Sequence, residues 1–174
     1  MVQPVPLYDA IGRVISEGAH LEVAFAELVT DLDPSGRSLR WESPARLADE
    51  CEHRLAASRL PPETITLCRE AKRAALALFA DRNHVIHARF FDGEISTGWT
   101  AAKPHRGGGD VDAPEWTPEN LRTLATALTR LRIRMHGLRW EITSGRNGFE
   151  VDLRVEPTTV YLPTTRQFTE RGTR

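Results

Sequence analysis

Cysteine is scarce, with Cys51 and Cys68 the whole complement of a 174-residue chain. Two thiols build neither a disulfide framework nor a metal-ligand cluster. Both fall within helical patterns as small core residues, which suits a reducing interior. Long apolar runs are missing as well, since no segment approaches the roughly 20 residues of a membrane span. Met1-Val2-Gln3-Pro4-Val5-Pro6 has neither the basic start nor the apolar centre of a signal peptide. A cytoplasmic protein without membrane contact is therefore expected. Excess charge is absent too. At a formal net charge of -1 the chain has no global attraction for nucleic acid, and any such surface must be local. No internal repeat or linker divides it, so residues 1–174 are read as one domain, large enough to bury a core without staples.

What is present is helical periodicity. From Pro6 to about Leu32, Ile11, Val14, Ile15, Gly18, Leu21, Phe25, Leu28, Val29 and Leu32 recur at helical spacing, and Asp33-Pro34-Ser35-Gly36 closes the stretch as a turn. Ser43 and Pro44 are N-cap and first helical residue of a second helix to about Leu60, with Leu47, Cys51 and Leu55 inward. Pro61-Pro62 opens a third, carrying Ile65, Cys68, Ala71, Ala75, Leu78 and Phe79. Alanines at 71, 74, 75 and 77 predict a close helix approach, internal or between two copies. Thr117-Pro118 caps a fourth helix with the stripe Leu121, Leu124, Ala125, Leu128, Leu131, Met135, Leu138 and Ile142.

Between the third and fourth helices the texture changes. Asp92-Gly93 reads as a turn, residues 94–102 as a strand or hairpin arm, and residues 103–110 as a glycine-rich surface loop. After a turn at Gly145-Arg146-Asn147-Gly148, Phe149, Val151, Leu153 and Val155 alternate with Glu150, Asp152 and Arg154, the pattern of a half-buried strand. The 94–102 arm is its natural partner. From about Pro163 the polar tail is expected to fray. The predicted fold class is mainly α, a four-helix-type up-and-down bundle with a small antiparallel β appendage.

The densest chemistry lies late in the third helix, in Asp81-Arg82-Asn83-His84-Val85-Ile86-His87. After Ala75, Leu78 and Phe79, and before Ile86, the inward stripe calls for a hydrophobe where Arg82 stands. Either the arginine snorkels or closes a buried ion pair, or it grips an anion. Glu22 lies on the first helix's stripe one turn after Gly18. A carboxylate facing a core needs a partner, and Arg82 is the most attractive one, unless Glu22 is solvated at the stripe's edge. Arg82 lies roughly 140° around the helix from His87, at about 100° per residue, so one helix does not easily bring both onto one small group. Joining them takes an arginine that reaches around the helix or a second copy that supplies the partner, which points to a composite site.

Arg82-Asn83-x-x-x-His87 resembles the Arg-x(4 to 6)-His motif of HEPN domains, in which a polar residue often follows the arginine near the end of a bundle helix. The resemblance implies a small helical bundle that commonly dimerises. Active members are metal-independent endoribonucleases, often toxins paired with an antitoxin protein. It further implies that Arg82 holds a scissile phosphate of RNA and that His87 assists proton transfer at the 2'-hydroxyl, with no cofactor and no metal. Histidine suits that task because its reference pKa is about 6.5, and arginine supplies a fork of donors that keeps its charge. Asn83, on the same face as His87, and neighbouring His84 are supporting candidates.

Charge is unevenly spread. Residues 118–142 hold Arg122, Arg130, Arg132, Arg134 and Arg139 against Glu119 and Glu141, a balance of +3. Residues 1–35 hold Asp9, Glu17, Glu22, Glu27, Asp31 and Asp33 against Arg13, a balance of -5. That asymmetry permits a local phosphate-binding face, with Arg130 and Arg134 as RNA-binding candidates, or equally two complementary helices neutralising each other. Two other classes compete with a ribonuclease. One is a non-catalytic module for dimerisation or nucleotide or RNA binding. The other is a metal-binding bundle using Asp81, His84 and His87 with a further ligand such as His20.

Overall fold

The computed structural model describes residues 5–33, 38–39, 42–87, 89–92, 99–102 and 115–146. It is mainly helical, with α1 (Val5–Leu32), α2 (Pro44–Ala57), α3 (Pro62–Ile86) and α4 (Pro118–Arg146). Three short strands separate the last two helices, β1 (Arg89–Asp92), β2 (Trp99–Ala102) and β3 (Glu115–Trp116). The predicted caps are in place. Ser43 Oγ accepts from the Arg46 N–H, and Thr117 Oγ1 accepts from the Asn120 N–H at 3.1 Å, each satisfying a donor the helix start leaves open. α2 stops at Ala57, short of Leu60, because Ser58 turns extended and both its N–H and its hydroxyl bond the Leu55 carbonyl.

The broadest helix contact is α1 on α4, and α3 lies against both. Their core runs without a break from Leu7, Val14, Leu21 and Phe25 through Leu78 and Phe79 to Leu121, Leu128, Met135 and Ile142. Cys51 and Cys68 are fully buried, and burial pushes each thiol up to about 12. Ile15 and Ile86, expected inward, are 44% and 40% exposed. Both sit at the flank of their stripes, where a few tens of degrees decide burial.

Cross-helix pairs give the directions. Glu17 meets Arg132 and Asp31 meets Arg139, so α1 and α4 run parallel. Phe25 meets Phe79 while Glu22 meets Arg82, and Glu70 meets Arg134 while Glu141 meets Thr64, so α3 runs against both. α3 thus runs against α1 and α4 runs with it, where strict up-and-down order would give the reverse.

The strands form one antiparallel sheet in the order β1-β2-β3, with Phe90 opposite Ala101 and Trp99 opposite Trp116. Trp116 is buried in the shared core. The expected arm at 94–102 thus contributes Trp99–Ala102, which pairs with β1 and β3. The expected strand at 149–155, the loop at 103–110 and the tail from 163 lie outside the described residues. α4 includes Gly145 and Arg146, the first two residues of the expected turn, whose other two lie outside the described residues.

Candidate functional site

Arg82 is seated, not snorkelling. α3 carries it on the inward face one turn after Phe79, and α1 meets it with Gly18, the one stripe position there without a side chain. A Cβ at residue 18 would lie 2.6 Å from Arg82 Cδ and 3.1 Å from Cγ. One turn along α1, Glu22 Oε1 accepts from Arg82 Nη2 at 2.5 Å. The guanidinium carbon stands 5.6 Å from the Phe79 ring centroid, within cation–π range. The arginine side chain is 12% exposed against 34% for Glu22, and its Nε is buried without a hydrogen-bond partner. The carboxylate thus engages one arm of the fork and leaves the rest of the donor set to other acceptors.

The other motif residues lie outside this seat. Asn83, His84 and His87 are exposed. His87 caps α3, its N–H donating to the Asn83 carbonyl at 3.1 Å. Asp81 is half-buried, and burial pushes its carboxyl above the ordinary aspartate value, with His84 opposing. Among the described residues no hydrogen bond or ion pair joins Arg82 to Asn83, His84 or His87. One chain therefore presents a seated guanidinium and a free imidazole at the same helix end without bringing them together. Also among the described residues, no three His, Cys, Asp or Glu side chains are grouped to hold a metal ion. Asp81, His84 and His87 wind apart around the helix, and the near neighbour of His20 is Glu17 at 3.9 Å.

On the opposite flank of α1, helix α4 is neutralised at three of the five arginines between residues 118 and 142. Arg132 faces Glu17 at 3.4 Å, and Arg139 bonds Glu27 as well as Asp31 at 2.7 Å. Arg134 meets Glu70 of α3 at 2.9 Å. Arg122 and Arg130 are exposed and, among the described residues, have no ion pair. Of the two RNA-binding candidates, Arg130 presents its full charge and Arg134 shares its own with Glu70. A cleft of about 440 Å³ between α1 and α4 is lined by Arg13, Glu17, Arg122, Ala125, Thr126 and Thr129, and by no residue of the 81–87 stretch.

Gly18 is the residue that pattern reading passed over. Its signal was a glycine in a run of core hydrophobes, matched across the helix pair by an arginine where a hydrophobe belongs. Comparison with family models, curated proteins and solved structures gives no match. The described helices include none long and apolar enough to cross a membrane.

Proposed function

We propose that the chain is a HEPN-like endoribonuclease working as a homodimer, the activity that the Arg82-Asn83-x-x-x-His87 motif implies. The observation that carries the reading is the seat of Arg82, which holds a permanent cation at the core's edge with one arm on Glu22 and donors left over. The exposed imidazole of His87 stands five residues away on the same helix end. Tyr8, Ile15 and Val23 of α1, and Ile86 next to His87 on α3, are exposed apolar residues, a surface suited to a second copy that would contribute its own His87 or Arg82. In the reaction the RNA 2'-oxygen attacks phosphorus as its proton passes to an imidazole. The bond from phosphorus to the 5'-oxygen breaks, that oxygen takes a proton, and a 2',3'-cyclic phosphate remains. Arg82 neutralises charge on the pentacoordinate phosphorus oxygens.

One finding favours a second reading. Glu22 already neutralises much of Arg82, as it would in a helical module for dimerisation or RNA binding without catalysis. Incubating the purified protein with single-stranded RNA in EDTA separates the two. The nuclease yields 2',3'-cyclic phosphate ends, His87→Ala lowers the rate by about 10²–10⁴, and Arg82→Ala lowers it by about 10²–10³. No cyclic ends from the wild-type chain, or full activity in both variants, removes the nuclease.

A further inference from the structure

Among the described residues Gly18 enters no side-chain hydrogen bond, yet it borders Arg82, a largely covered cation in the α1–α3 seam. We propose that Gly18 is a positioning residue: the groove it leaves in α1 sets where the Arg82 guanidinium stands, with Glu22 as the second wall. The inference rests on Arg82 being the anion-binding group of the site, and it explains a glycine that the helix itself disfavours. Glycine in a helix interior is less stable than alanine, so its place there needs a local reason. The space supplies one. A Cβ at residue 18 would stand 2.6 Å from Arg82 Cδ, closer than real Cβ contacts come, and 3.5 Å from Nε. Cδ belongs to the stem, not to the free end of the side chain. The guanidinium beyond it is held by Glu22 and lies over Phe79, so the stem has no slack to give. A Cβ at Gly12, on the same helix, would meet nothing within 4 Å. The crowding is specific to residue 18.

The geometry makes three links a single device. Gly18 admits the stem, Phe79 supports the face of the guanidinium, and Glu22 fixes its roll by taking Nη2. Enlarging residue 18 moves the stem outward, which either breaks the Glu22 contact or parts the two helices. Losing Glu22 alone leaves the stem in its groove and frees the head.

A double-mutant cycle on the full chain tests this through unfolding midpoints, using Gly18→Ala, Arg82→Ala and the double variant. Gly18→Ala lowers the midpoint when Arg82 is present and raises it when Arg82 is already alanine, because only the helical gain then remains. An equal effect of Gly18→Ala in both backgrounds overturns the proposal. Should Gly18→Ala fail to fold, recovery of folding in the double variant supports the proposal and failure there overturns it. The second readout is the Nε–H signal of Arg82 in nitrogen-15 NMR, which Gly18→Ala displaces and a merely structural glycine would leave in place. With an RNA substrate, Gly18→Ala lowers kcat by about tenfold or more while KM stays near wild type, the pattern of a misplaced group. If the wild-type chain cleaves no RNA, the ribonuclease reading falls, while the cycle and the NMR signal still decide the role of Gly18.

Discussion

Arg54 shows how much one polar side chain can anchor. It is 5% exposed, its Nε donates to Glu50 at 2.7 Å, and its Nη1 donates to the Val29 and Asp33 carbonyls at the end of α1. The last carbonyls of a helix have no N–H of the same helix ahead of them, and a cation there also opposes the negative end of the helix dipole. Arg54→Ala is expected to cost about 2–4 kcal/mol, read as a lower urea midpoint at unchanged slope. Asp81 works in the opposite sense. Burial raises its carboxyl pKa in the folded chain, so the folded state carries a penalty above that pKa which disappears as pH falls through it. Asp81→Asn should therefore stabilise the protein at about pH 7 and bring little change at about pH 3.5. A gain of the same size at both pH values would exclude burial of the charge as its cause.

Among the elements, the α1–α4 contact combines an apolar seam with a charged edge. The two helices run parallel, and the carboxylates of α1 line up with arginines of α4 at Glu17, Glu27 and Asp31. Arg139 meets two of them at once. Arg139→Ala is expected to cost about 1–2 kcal/mol at low salt and less in about 1 M salt, where the screening length is roughly 3 Å. Arg130→Ala should change stability by no more than about 0.5 kcal/mol, since Arg130 is exposed without a described partner. Equal losses in the two variants would mean that the α4 charges do not act through these pairs.

For the whole molecule, the exposed apolar side of α1 is the surface that a second copy would cover. Gly12 lies between Tyr8 and Ile15 on this exposed side of α1, with open space around it. In an isolated chain Gly12→Ala should add about 1 kcal/mol of helix stability. In a dimer seated on this face the added methyl meets the partner, and the same change should weaken association. Sedimentation of wild type and Gly12→Ala across a dilution series checks this. A wild-type chain that stays monomeric at the highest concentration removes the shared site.

The local pattern was enough to place four helices, to choose Ser43 and Thr117 as caps, and to single out Arg82 as a cation in an apolar stripe. It also offered Glu22 as the partner of Arg82, and complementary charge on the first and fourth helices. These are properties of neighbours three or four residues apart, which helix geometry brings together whatever the rest of the chain does. Packing decided the rest. The antiparallel approach of α3 to α1 set Arg82 over Gly18, the parallel approach of α4 engaged Arg132 and Arg139 but, among the described residues, not Arg130, and β2 came to lie between β1 and β3. Each depends on the rotation and offset of two elements far apart in sequence. A turn of some tens of degrees exchanges inside for outside, as it did for Ile15 and Ile86, and that angle is determined by the fit of whole faces rather than by any one stretch.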